Sequence, residues 1–301
     1  IVQNIPLPSS LDGILEKFVD EKFLILNDNK TYSITILGAL LFSRDLRLFP
    51  SLAMKGIRII LYNGKGKLNA VNDITLSAGY AISFSNAVDT ISNMLKRGEI
   101  IDSALRRDII RIPVPAVREV LANTLVHQDL SDNGSGPMIE IFDNRLEGSN
   151  PGMLLVPKDR IIDAPPRARN EALAAFLRRI HIVEERGSGF DRMEEAMEAY
   201  HLPSPAIDTD ETFTRITLFS YDKFSDWKKE DRIWTIYLSS CLKYIEGEYL
   251  TNTDLRQRFG INTGNSAVVS RILKEALGSG KIKIYDDTVG VKLRTYIPYW
   301  A

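Results

Sequence analysis

The chain has 301 residues, 44% of them hydrophobic and 26% charged, which is ample for ordinary globular cores and excludes a disordered composition. A formal net charge of −1 gives no sign of a nucleic-acid or membrane partner for the chain as a whole, but the charge is unevenly spread. Residues 228–301 hold twelve Lys/Arg and eight Asp/Glu, a balance of +4, which leaves 26 against 31, a balance of −5, in residues 1–227.

The single cysteine, Cys241, rules out an internal disulfide and a cysteine metal cluster and suits a reducing, cytoplasmic setting. No run approaches the roughly 18 apolar residues of a membrane span, and no charged-then-apolar leader opens the chain. It starts Ile1-Val2-Gln3 without methionine, so a further portion upstream is expected. Length alone suggests two or three domains.

In chain order, residues 9–24 have helical spacing, with Ser9 or Ser10 as N-cap and Leu11, Leu15, Phe18, Val19 and Phe23 on one face. Asp28-Asn29-Lys30 is a turn, and the apolar run Ile34 to Phe42 fits a buried helix or a strand. Ile57 to Tyr62 is short and β-branched, hence a strand, and residues 78–96 return to helical spacing. Pro113 to Gln128 is the strongest helix, with Pro115 in its first turn and Val117, Val120, Leu121, Leu125 and Val126 as apolar positions. Met138 to Phe142 alternates as a strand, and turns follow at Asp143-Asn144-Arg145 and Asn150-Pro151-Gly152. Residues 169–181 form a helix, Gly187-Ser188-Gly189 opens another to about Tyr200, and Phe213 to Phe219 is a strand. The polar stretch Asp222 to Asp231 reads as a boundary. Beyond it come helices at about 230–245, 253–259 and 266–277, then strands Lys281–Tyr285 and Lys292–Tyr299 around a tip at 286–288. That order is a winged helix-turn-helix.

Three groups of residues carry candidate chemistry. Glu119, Asn123 and His127 are spaced i, i+4, i+8 on one helix and so share a face. An amide oxygen there can bind a hard cation such as Mg²⁺ and a carboxylate can orient water, although the same spacing describes a solvated helix face. Asp143 ends a strand, where it can accept from a purine amino group, and Gly152 allows close backbone approach; both also occur in ordinary turns. Gly187 and Gly189 precede a helix whose N-terminal N–H groups suit phosphate, although a lone GxG is commonly a plain loop. There is no GxxxxGK[ST], no HExxH and no GxSxG, so neither a helicase motor, a zinc hydrolase nor a nucleophile-elbow hydrolase is expected.

In sequence order, these groups resemble the ATP-binding fold of gyrase, histidine kinases and MutL. VREVLANTLVHQD, IFDNRLEGSNPG, RNEALAAFL, VEERGSGFDRM and GALLFSRDLRLFP are similar, more narrowly, to a family of bacterial transcriptional regulators often labelled ATP-dependent DNA helicase RecG-related. The similarity spans about residues 9–220, and such proteins usually carry a Schlafen/Alba-type domain upstream. The resemblance implies ATP with Mg²⁺ as ligand, Asn123 holding the metal, Asp143 reading adenine, and Gly152, Gly187 and Gly189 shaping the nucleotide loops beside His127. It departs at His127-Gln128-Asp129-Leu130, where His-Arg-Asp-Tyr is usual, at Asn144 in place of a second Asp, and at Gly148-Ser149 in place of an apolar residue. These departures bear on hydrolysis more than on fold.

The expected architecture is therefore α/β: a lead-in segment at 1–105, a histidine-kinase-type α+β sandwich at 106–222 and a winged helix-turn-helix at 228–301. Asn265, Ser266, Ser270, Arg271 and Lys274 would face a major groove of double-stranded DNA, with Lys281, Lys283, Lys292 and Arg294 on or beside the wing. The expected function is a dimeric DNA-binding regulator with a nucleotide-sensing domain. The alternatives are an ATPase with Glu119 as general base, or a degenerate ATPase fold kept as a dimerisation scaffold.

Overall fold

The first helix, α1 (Leu11–Asp20), begins where the Ser10 hydroxyl accepts the Gly13 N–H, and it ends sooner than the 9–24 pattern predicts. Lys22 turns the chain with φ 60°, so Phe23 leaves the helix and packs edge-on against Phe42 and Phe176. The structure, a computed structural model, describes residues 8–96, 101–102, 105–106, 112–183, 189–221, 223–262 and 266–301. Strands β1 (Leu24–Leu26) and β2 (Tyr32–Ile34) form a hairpin around the 28–30 turn. Thr35 then caps α2 (Ile36–Phe42) by accepting the Gly38 N–H, which divides the apolar 34–42 run into strand end and helix.

Next in the chain come β3 (Ile57–Tyr62), β4 (Ala70–Leu76) and α3 (Tyr80–Lys96), followed by the two-residue strands β5 (Ile101–Asp102) and β6 (Leu105–Arg106). They are followed by α4 (Val114–Val126), β7 (Met138–Phe142), β8 (Arg145–Pro151), α5 (Glu171–Arg179), α6 (Gly189–Ala199), β9 (Ala206–Thr209) and β10 (Phe213–Phe219). Six strands make one mixed sheet in the order β4-β3-β7-β8-β10-β9. β3 and β7 run parallel and the remaining pairings in this sheet are antiparallel. Strands from both sides of the expected 105/106 boundary thus share this sheet.

Alternation along the strands sorts the two faces. Ile57, Ile59, Ile139, Ile141, Leu146 and Leu218 are buried in one core with residues of α3 and α4. The other face is laced with charge: Arg58 pairs with Asp73, Lys67 and Tyr62 bind the Glu140 carboxylate, and Arg145 and Arg215 flank Glu147. Gly148 explains one departure noted above. A side chain there would overlap Val120 and Thr124, so its absence lets α4 lie tightly on β8.

The C-terminal unit comprises α7 (Lys229–Ile245), α8 (Asn252–Arg258), α9 (Ser266–Gly278), β11 (Ile282–Ile284) and β12 (Tyr296–Pro298). Thr251 and Asp254 form a reciprocal capping box at the start of α8. β11 and β12 pair antiparallel over three residue pairs, and Leu250 adds an isolated antiparallel bridge to Tyr296 of β12. Both strands are shorter than expected, because residues 291–293 coil into a 3₁₀ turn instead of extending β12. This unit is packed firmly on the sheet domain. Phe224, Trp227 and Phe259 cluster, and the Trp234 indole donates to the Pro205 carbonyl at 2.9 Å. Arg258, 2% exposed, meets Glu194 of α6 at 2.9 Å. Among the described residues no helix is long and apolar enough to cross a membrane.

Candidate functional site

Helix α4 is buried along most of its surface, by the sheet below and by α3 and α6 beside it. Its one open face carries Glu119, Asn123 and His127, and it borders a cavity of about 490 Å³. The spacing that also describes a solvated helix face therefore looks into a partly open cleft within the size range of ligand pockets. Gly189 enters from the start of α6. A Cβ on Gly189 would lie 2.5 Å from the Glu119 carboxylate and 3.9 Å from the Asn123 amide nitrogen, so a side chain there would displace the Glu119 carboxylate from its place at the start of α6. Phe190, Ile207 and Ile216 give an apolar wall, and the segment from Met153 to Ala168 closes the far side.

The C-terminal end of α4 is held by an Arg-Asn pair just before α5. Asn170 donates its amide to the carbonyls of Val126 and Gln128 at 2.9 and 2.8 Å. Arg169 donates to the His127 carbonyl at 3.1 Å and to the Met153 carbonyl at 2.8 Å. These bonds satisfy the orphan carbonyls at the helix end and tie α4 to the cavity's far wall. They also place a guanidinium beside His127. Burial, with Arg169 adding to it, lowers the His127 pKa to about 4, so the ring is neutral at physiological pH. On α6, burial and then Glu195 raise the Asp191 carboxyl to about 6.

These two groups give opposite pH signatures. Between pH 4 and 6.5 unfolded His127 binds a proton that the folded state refuses, so its contribution to stability is lost as pH falls through that window. Folded Asp191 binds its proton more readily than the unfolded chain, so acidification from pH 6 towards 4 relieves it. Urea unfolding at several pH values should show wild type losing stability relative to His127→Gln on acidification, and gaining relative to Asp191→Asn. Parallel curves for all three proteins would contradict both assignments.

Not all expected site residues meet here. Glu119, Asn123, His127 and Gly189 line the cavity, and Gly152, with φ 98°, adjoins it through its neighbour Met153. Asp143 does not. It lies on the exposed β7–β8 turn, where its carboxylate accepts the Gly64 N–H at 3.0 Å and ties that turn to the β3–β4 loop. The strand-end polar group facing the cavity is Asn150 of β8, from the Asn-Pro-Gly run. Sequence reasoning also missed two arginines on the lining, Arg167 and Arg178, which no local motif singles out. Gly187 lies outside the described residues.

In the C-terminal unit Ser266, Ser270, Arg271 and Lys274 occupy the exposed face of α9, and Lys283 and Lys292 are exposed on and after β11. Arg294 is half-buried. Lys281, just ahead of β11, is half-exposed, and its ammonium pairs with Asp159 of the sheet domain at 2.8 Å. Asn265 lies outside the described residues.

Comparison with known proteins fits this geometry. Residues 134–218 match the family described as "Putative ATP-dependent DNA helicase recG C-terminal". The chain thus contains a RecG-related, ATPase-like region. That match covers β7 to β10, including Asn150, Gly152 and Gly189, and α4 lies just ahead of it. Among solved structures, the DIP2311 protein from Corynebacterium diphtheriae is similar with a TM-score of 0.50 and 15% identity, over 91% of this chain and 62% of that one. At that identity the likeness concerns fold alone, and the chain spans 62% of the length of that protein. No curated protein matches.

Proposed function

We propose that the chain is a nucleotide-responsive, DNA-binding regulator, in which the sheet domain binds an adenine nucleotide with Mg²⁺ and the C-terminal unit is a winged helix that contacts duplex DNA. The observation that carries the nucleotide half is the convergence of Glu119, Asn123, His127 and Gly189 on one cavity inside an ATPase-like fold. The residues suit such a ligand. Apolar walls accept a flat base, Arg167 and Arg178 line the same space, and the Asn123 amide and Glu119 carboxylate offer hard oxygen donors. Among the described residues no group of three or more His, Cys, Asp or Glu forms a complete metal cage. A bound Mg²⁺ would neutralise phosphate charge, with Asn123 as its protein ligand. Glu119 orders water at the cavity, and neutral His127 offers a hydrogen bond without adding charge.

Support for the DNA half comes from the order α7, α8, α9 and hairpin, and from an α9 face that exposes Ser266, Ser270, Arg271 and Lys274. Pairing of two chains would let two such helices reach successive half-sites. The test is calorimetric titration of ATP into wild type and Asn123→Ala, with and without Mg²⁺. Wild type should bind more tightly with Mg²⁺, and the variant should lose about tenfold in affinity only when the metal is present. The same proteins should bind a mixed-sequence duplex at low salt, with binding lost in Arg271→Ala/Lys274→Ala. Absence of ATP heat in wild type would sink the nucleotide half; DNA binding indifferent to the double variant would sink the other.

A further inference from the structure

Two walls of the cavity are gripped from behind by the C-terminal unit. The first is α6. Its leading residues Gly189 and Phe190 line the cavity, and one and a half turns further on Glu194 is wholly buried against Arg258 of α8. Arg258 also donates to the Leu202 carbonyl at 2.8 Å, while Ser204 donates to the same Glu194 oxygen at 2.6 Å. An eleven-residue helix is a rod of about 16 Å, so displacement at its cavity end must be taken up at its α8 contact.

The second wall is the segment from Met153 to Ala168. Its cavity side carries Leu154, Val156 and Ile161, and its back is held at the 158–160 turn. The Tyr237 hydroxyl donates to the Asp159 carbonyl, and the Lys281 ammonium binds the Asp159 carboxylate at 2.8 Å. The Arg160 guanidinium lies 4.4 Å over the Trp300 ring, and the Lys158 ammonium 5.1 Å over Trp234. The two grips come from different parts of the C-terminal unit, α8 on one side and α7 with the hairpin on the other.

We infer that Arg258 and Lys281 are positioning residues of the cavity, so that ligand occupancy and the set of the C-terminal helices and hairpin are linked. This rests on the nucleotide reading above. If the cavity ligand favours one placement of α6 and of the 153–168 wall, it favours the matching placement of α8 and the hairpin, and the coupling runs equally in reverse. Neither Arg258 nor Lys281 touches the cavity; they act through Glu194 and Asp159.

The half-exposed Lys281–Asp159 pair permits a test without unfolding the protein. Mg-ATP is titrated calorimetrically into full-length wild type, Lys281→Met, Asp159→Asn and the double variant, and amide exchange is followed by mass spectrometry with and without Mg-ATP. Each single variant should weaken ATP binding about threefold to tenfold, with the double variant no weaker than the singles and the unliganded melting temperatures alike. ATP should slow exchange in α8 and β11 of wild type, and less so in the variants. A purely structural role for the pair would lower the melting temperature and leave the ATP affinity of the folded protein alone. Equal affinities in all four proteins, or protection that ends within the sheet domain, overturns the linkage while leaving the nucleotide reading intact. No ATP heat in wild type overturns both.

Discussion

Replacing Arg258 with methionine should destabilise the full chain by about 3–5 kcal/mol in urea unfolding. Arg258 is 2% exposed and Glu194 is wholly buried, so the variant leaves a carboxylate in the interior with, among the described residues, the Ser204 hydroxyl as its remaining donor. The Leu202 carbonyl also loses its donor. Yet the pair itself is imperfect. Among the described residues one Glu194 oxygen and the Arg258 Nε have no hydrogen-bond partner, the nearest carboxylate to that Nε being Glu198 at 3.7 Å, so part of the desolvation cost is not recovered. Arg258→Met/Glu194→Met should therefore regain most of the loss, because it removes both charges and fills similar volume. If single and double variants are equally destabilised, the pair is not an electrostatic unit and its packing alone matters.

How far the sequence could anticipate this molecule depends on how local each cause is. α4 and β10 were legible because their apolar positions recur at helical or alternating spacing and their ends carry Pro113 and Phe219. β8 was not, because Gly148-Ser149-Asn150 is poor strand material; it is made a strand by pairing with β7 on one side and β10 on the other. β4 and β9 lie at the sheet's two edges and lack a clean apolar alternation. Missing β8 carries over directly into the site. Without it Asp143 looks like the strand end nearest the cavity, whereas the hairpin folds back and brings Asn150 and Gly152 there, with Asp143 at the opposite end of the paired strands. The i, i+4, i+8 face of α4 was readable; the 153–168 wall has no period, and nothing local marks Arg258 or Lys281 as partners of residues 64 and 122 positions away.

Lys55→Met should cost about 2–4 kcal/mol and loosen the loop after α4, although Lys55 lies some 70 residues from it in the chain. Lys55 is fully buried, yet among the described residues no carboxylate pairs with its ammonium. It donates to the backbone carbonyls of Asp129, Asp132 and Ser135, and burial pushes its pKa down while Asp132 and Asp129 pull it up. The methionine stem occupies the same channel but leaves three carbonyls without that donor. The damage should spread along identifiable contacts. The Tyr80 hydroxyl donates to the Lys55 carbonyl and accepts from the wholly buried Gln128 amide. Asp129 in turn donates its N–H to the Pro151 carbonyl at 2.8 Å, beside Gly152 and the end of α4 that carries His127. Urea unfolding should record the lost stability, and amide exchange should rise first in residues 129–136. Stability within about 0.5 kcal/mol of wild type, with unchanged exchange there, would show that water replaces the ammonium and that the loop holds itself through Asp129 and Asp132 alone.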